Sequence, residues 1–191
     1  HAGKALTTFY QCGDVYAHDP VSLRDEGRAP WAGDCRAWGV SAHPKVDAHT
    51  GELMYFRYAA EAPYLRYGVV DASGRVAREV DVALPGPRLP HDMAFTERFA
   101  VLNDLPLYWD PARLAQGVHR PVFDPKIPSR FALVPRDARG ASVRWFEAEP
   151  TYVLHWINAY ERGDEVILDG YRQADPMPRP DPADGAWGPL K

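Results

Sequence analysis

"YLRYGVVDASGRVAREVDVAL", residues 64–84, decides the fold class. Two short runs rich in β-branched and aromatic residues flank Asp71-Ala72-Ser73-Gly74, which has the residue types of a hairpin turn. The stretch therefore predicts two antiparallel strands. The same signature recurs outward in both directions: "GELMYFRYA" (51–59), "RFAVLND" (98–104), "SRFALVP" (129–135), "VRWFEAE" (143–149) and "DEVILDGYRQ" (164–173) are all short and bounded by turn residues. "HTGE" (49–52) and "ERGDE" (161–165) read as further turns between strands. Only "DPARLAQGV" (110–118) has helical spacing, with Asp110 as cap and Pro111 at the first helical position. The fold class is all-β. Hairpins at regular spacing fit a sandwich, a barrel or a propeller, and without exact repeats the pattern does not choose among them.

The composition excludes several functions. With 46% hydrophobic and 25% charged residues the chain has enough apolar material for a packed core. A formal net charge of −4 and scattered arginines leave no basic field for a phosphate backbone, so no nucleic-acid partner is expected. There is no apolar run of about 18 residues and no leader pattern, so the expectation is a soluble, cytoplasmic protein without a transmembrane segment. Cys12 and Cys35 show no CxxC or Cys/His pairing and are expected to be reduced thiols without a chemical role. Nineteen prolines fall mostly between strands and in the tail, residues 176–191, which reads as a loop. The chain opens in the middle of a pattern and closes in Pro/Gly-rich text, so it is expected to be a piece of something longer.

Three histidines stand in matched contexts. His43 in "VSAHPKVDAHTGELMYF", His91 in "LPHDMAFTERFAVLND" and His155 in "TYVLHWINAYERGDEVILD" are each followed within a few residues by a turn and a strand. They are too far apart for a zinc knuckle or an HExxH helix, and would converge only on a closed or radial scaffold. A histidine beside an apolar strand is more often a hydrogen-bonded structural residue, and spacing alone leaves ligand and structural roles open. His1, His18, His49 and His119 lie in turn-like or terminal text and read as solvated.

The stretches "AHPKVDAHTGEL" (42–53), "HDMAFTERFAVLNDLPL" (91–107) and "LHWINAYERGDEVILDG" (154–170), with a weaker match at "VYAHDPVSL" (15–23), resemble the carotenoid cleavage oxygenases, which include apocarotenoid and lignostilbene dioxygenases. The motifs are long and ordered, and the resemblance covers residues 6 to 175. It implies a seven-bladed β-propeller in the full-length family, with residues 1–175 supplying about three central blades and 176–191 a loop leading to further ones. It also implies an Fe(II) held by four histidines. His43, His91 and His155 match the first three, and no histidine follows His155 in this chain. The implied reaction splits a conjugated C=C bond of a carotenoid, apocarotenoid or related polyene with O2 into two carbonyl products. The chain alone is expected to be inactive.

Departures from the family pattern bear on the site. The position of a glutamate that orients a ligand histidine in the family is matched by Gln11, or by Cys12 if the gap is placed differently. Where lignostilbene-cleaving members carry a phenol-gripping lysine, this chain has Tyr10. Tyr10, Phe95 and Trp156 are candidate lining residues of an apolar substrate tunnel, although aromatic residues of a β-protein are core by default. Glu97 reads as a turn-forming or salt-bridged residue. Three alternatives remain open at this level: stilbene cleavage, the ester-cleaving retinoid isomerase chemistry of one family branch, and a non-catalytic propeller segment whose histidines do not converge. Peripheral membrane contact through parts outside this chain is also left open.

Overall fold

The computed structural model describes residues 1–35, 39–118, 120–137 and 143–177, with the side chains of 33–35 excepted. His119, the side chain of Cys35 and most of the proline-rich tail lie outside them. Two four-stranded antiparallel sheets dominate. The first runs β6 (Lys45–Val46), β7 (Leu53–Tyr58), β8 (Leu65–Val70) and β9 (Val76–Asp81) in simple up-and-down order. The second consists of β10 (Ala94–Phe95), β11 (Phe99–Asp104), β14 (Ser129–Pro135) and β15 (Arg144–Ala148). Between β11 and β14 the chain inserts the hairpin β12 (Leu107–Tyr108) and β13 (Val122–Phe123), which encloses the one-turn helix α1 (Pro111–Ala115). On one side lie the sheet β1 (Ala5–Thr7), β3 (Tyr16–His18), β4 (Asp25–Arg28) and the pair β2 (Cys12–Gly13) and β5 (Val40–Ser41). On the other lies the hairpin β16 (Trp156–Arg162) and β17 (Glu165–Gly170). Among the described residues no helix is long and apolar enough to cross a membrane.

The hairpin expected at 71–74 forms as read. Asp71 closes the turn by accepting, through Oδ1, from the backbone N–H groups of Ser73 (2.9 Å) and Arg75 (3.1 Å), and Gly74 takes the left-handed conformation at φ 84°. The helix start is also as expected, with Asp110 Oδ1 accepting from the Ala112 N–H at 2.9 Å. Strand 156–162 is implied by the turn read at 161–165 but is not itself picked out as a strand in the sequence. Its half-buried and exposed positions alternate from Asn158 onward but not across Ile157, where a register shift between Trp156 and Asn158 interrupts its pairing with β17.

Strand alternation explains how the sheets stack. On β11 and β14, Ala100, Leu102, Ala132 and Val134 face the first sheet, where they meet Met54, Phe56, Leu65, Tyr67 and Val69. The intervening residues Phe99, Val101 and Leu133 face the other way and pack on Trp156, Ala159, Val166 and Leu168. One period-2 pattern thus buries both faces of the second sheet between its neighbours. Face-to-face stacking of consecutive up-and-down sheets is the arrangement of propeller blades. Two glycines make room for aromatic residues across the ladder. Gly68 pairs with Tyr55, whose ring would lie 2.2 Å from an added Cβ. Gly170 pairs with Trp156 in the same way, at 2.7 Å.

A buried cation ties the two large sheets together. Arg136, just past β14, donates to Asp47 Oδ2 (2.6 Å) and Glu52 Oε2 (3.0 Å) of the β6–β7 connection, and to the Thr96 carbonyl (3.0 Å) in the β10–β11 turn. Arg136 and Asp47 are both 7% exposed. The Glu97 carbonyl accepts from the same guanidinium at 3.2 Å while its side chain is exposed, which makes Glu97 a turn residue. Hydrogen bonding by Arg136 lowers the Asp47 carboxyl to about 2. Replacing Arg136 by methionine leaves that carboxylate buried without its partner and should lower stability by about 3 kcal/mol at pH 7. Because the folded Asp47 titrates below the unfolded value of about 3.9, its stabilising contribution is present above that pH and is lost as pH falls toward 2. Denaturant titration of the wild-type and Arg136→Met proteins should therefore show a stability gap that closes between about pH 4 and pH 2.

Candidate metal centre

The three matched histidines stand at the entrances of three first strands. His43 precedes β6, His91 precedes β10 and His155 immediately precedes β16. Proline at 44 holds the residue before it extended, so His43 projects from the β5–β6 link rather than joining a strand. Successive sheets stack, so the entrances of their first strands come together at one edge of the stack.

The rings meet there. His43 Nε2 lies 3.0 Å from His91 Nε2, and the ring centroids are 4.6 Å (His43–His91), 4.9 Å (His43–His155) and 5.1 Å (His91–His155) apart. One nitrogen from each ring lies within 4.8 Å of the other two. Ligand bonds of about 2.1 Å meeting at a right angle put two nitrogens about 3.0 Å apart, so the His43–His91 spacing suits adjacent positions on one ion. The rings are inclined to one another at 62°, 73° and 57°, so none stacks flat on another. Burial is the main cause that lowers the pKa of both His43 and His91, and the neighbouring histidines add to it; His91 falls to about 4. Both rings are therefore neutral at pH 7, the state that binds a metal. His43 and His91 are half-buried and His155 is exposed. The donor set fits a divalent transition ion.

A residue that sequence reading did not single out holds the surroundings together. Asp92, 2% exposed, pairs through Oδ1 with Lys45 Nζ at 2.7 Å and accepts the Trp156 backbone N–H through Oδ2 at 2.9 Å. Its carbonyl accepts from Asn103 Nδ2 on β11 at 2.9 Å. The available signal was an acid directly beside His91 in "HDMAF". Gln11 sits close by, since its carbonyl accepts from the Ala42 N–H at 3.2 Å, but among the described residues its side-chain amide bonds none of the three rings.

The candidate lining residues fall in different places. The Tyr10 ring centroid is 5.4 Å from that of His91, and the residue is 66% exposed. Phe95 packs against the core between the two large sheets, with the Arg136 guanidinium 5.4 Å from its ring centre. Trp156 packs edge-on to Phe131 and lines a cleft of about 880 Å³ between the second sheet and the β16–β17 hairpin. Phe95 and Trp156 also share a smaller cleft of about 140 Å³ with Lys45. Near Tyr10, burial raises the phenols of Tyr58 and Tyr152 and pushes the free thiol of Cys12 up to about 12. These groups stay protonated and uncharged at neutral pH, so Cys12 is no thiolate ligand. Of the other histidines, His49 is exposed and His18 bonds Thr7 Oγ1 at 3.1 Å.

The family model described as "RPE65: Retinal pigment epithelial membrane protein" matches residues 1–186. A carotenoid 9,10(9',10')-cleavage dioxygenase from Crocus sativus is 38% identical over 181 residues, spanning 85% of this chain and 33% of that protein. An isoeugenol monooxygenase from Pseudomonas nitroreducens is 30% identical over 185 residues, spanning 95% of this chain and 38% of the relative. Among solved structures, a lignostilbene dioxygenase from Pseudomonas brassicacearum superposes with a TM-score of 0.76 at 31% identity, over 89% of this chain and 36% of that one. The chain thus spans about a third of the length of the curated relatives it matches.

Loss of a ligating imidazole removes a bond and part of the geometry. His43→Ala and His91→Ala should each weaken Co(II) binding beyond the 10–100-fold that loss of an outer-shell partner typically costs, roughly 100-fold or more. Anaerobic titration followed by the visible Co(II) bands checks this.

Proposed function

Since this chain belongs to the RPE65 family of carotenoid cleavage oxygenases, we propose that the full-length protein is a non-haem Fe(II) oxygenase that splits a conjugated C=C bond of an apocarotenoid or similar polyene into two carbonyl products. The observation that carries this reading is the convergence of His43, His91 and His155, from three separate sheets, to within 4.8 Å. Three imidazole nitrogen donors without a carboxylate suit Fe(II) and leave the ion its full charge. Bound there, Fe(II) supplies the activation of dioxygen. The reaction balances without a reductant, because each half of the alkene takes one atom of O2.

The residues of this chain supply orientation and a neutral surface. Tyr10 lies beside His91 on its exposed side, where an elongated substrate would approach. Tyr58 and Tyr152 keep their protons, so no phenolate competes for the ion, and Cys12 keeps its own for the same reason. Such a lining binds an apolar chain by area and makes few polar demands on it.

A second reading is stilbene or phenylpropene cleavage, favoured by the names of the Pseudomonas relatives. Against it stands Tyr10, a phenol side chain where an ammonium would hold a phenolate. An assay under 18O2 with an apocarotenal, a 4-hydroxystilbene and isoeugenol separates the two. The expected result is two labelled carbonyl products from the apocarotenal, with slower turnover of the phenols. Aldehydes from the phenols and none from apocarotenals would overturn the polyene assignment. Tyr10→Lys should raise turnover of the hydroxystilbene relative to the polyene by on the order of tenfold, the scale of one added polar contact.

A further inference from the structure

Each histidine-bearing segment belongs to a different sheet, and apolar packing between sheets has no direction of its own. Directional contacts to all three of these segments meet at Asp92. The Asp92 carboxylate takes Lys45, two residues past His43, on one oxygen and the Trp156 amide, one residue past His155, on the other; Asp92 itself follows His91. We infer that Asp92 is a positioning residue for the metal centre, holding His43, His91 and His155 in mutual register through Lys45 and the Trp156 backbone amide. This rests on the reading of those histidines as the ligands.

The carboxylate acts at a distance from the rings. Metal-binding histidines usually donate their second ring N–H to a carboxylate or carbonyl. Among the described residues no carboxylate accepts from these three rings. Asp92 fixes where the segments start, and each ring orientation follows from its segment. Its own placement is set from behind, because Asn103, 1% exposed on β11, donates to its carbonyl at 2.9 Å. Contacts of 2.7 and 2.9 Å tolerate little displacement, and a metal site must be held to within about 0.5 Å to keep its geometry.

Charge favours this role over simple cross-linking. A buried ion pair is weak support for stability, and well-packed apolar residues often serve as well. Here the pair lies beside a cluster with no anionic ligand. Lys45 neutralises Asp92, so the carboxylate can be buried next to the histidines without becoming a ligand or offsetting the charge of the ion. A structural cross-link such as Arg136–Asp47 would govern stability alone. A positioning group must also govern how the ion is held.

The test uses the full-length protein, with Asp92→Asn, Lys45→Met and Lys45→Arg, and with His91→Ala as the ligand control. Each is titrated anaerobically with Co(II), recording affinity, the visible ligand-field bands and the thermal midpoint. Asp92→Asn should weaken Co(II) binding by about 10–100-fold and shift the bands. Lys45→Met, which loosens only the His43 arm, should give a smaller loss in the same direction, with Lys45→Arg restoring most of it. Wild-type affinity and bands in Asp92→Asn, with only the thermal midpoint lowered, would make Asp92 a structural cross-link and overturn the inference. If Asp92→Asn does not fold, unchanged affinity and bands in Lys45→Met overturn it equally. Co(II) binding that His91→Ala leaves intact would instead refute the ligand assignment, and this inference with it.

Discussion

The centre of the molecule depends on a buried carboxylate that has to be satisfied. Asp92 is almost wholly withdrawn from solvent, and an ionised group in that position costs several kcal/mol unless charges and donors surround it. The chain meets that demand with the Lys45 ammonium and the Trp156 amide from the two flanking sheets and with the neighbouring Met93 amide, while Asn103 holds the Asp92 carbonyl from behind. These contacts can all be made only if the sheets arrive in one relative placement. That placement brings the rings of His43, His91 and His155 to centroid distances of about 5 Å.

Apolar packing brings the sheets together and leaves their alignment to polar contacts. The second sheet buries one face against Met54, Phe56 and Tyr67 and the other against Trp156 and Leu168. Such surfaces supply most of the association energy but tolerate small slips. Asp92 sets the alignment at the edge where the histidines gather. The Arg136 cluster does so elsewhere, joining the β6–β7 connection to the β10–β11 turn. Tyr55 over Gly68 and Trp156 over Gly170 add steric register within the ladders, since only glycine leaves room for the ring.

His43 and His91 are kept neutral, and Tyr58, Tyr152 and Cys12 protonated, by the same burial that packs the sheets. His43 and His91 lose affinity for protons, while Tyr58, Tyr152 and Cys12 hold theirs. The two shifts run in opposite chemical directions from one cause, because desolvation disfavours whichever form is charged. The outcome is a set of lone pairs ready for a cation, bordered by protonated hydroxyls.

The sequence by itself determined the local elements and the chemistry of the donors. Strands 65–70, 99–104 and 129–135 were legible because each carries a run of apolar residues closed by turn residues, strand 76–81 because it follows the hairpin turn at 71–74, and the helix at 111–115 because Asp110 and Pro111 mark its start. Strand 156–162 was not, because its burial departs from alternation across Ile157 and a register shift interrupts its pairing there. The histidines could be grouped by context, and their motifs supported a family resemblance, but spacing alone could not bring them together. Only the tertiary structure decided that, because convergence depends on how three sheets stack. It also decided the role of Asp92, whose partners Lys45 and Trp156 stand far from it in the chain. A local pattern encodes the state of a segment; contacts between sheets depend on the whole fold.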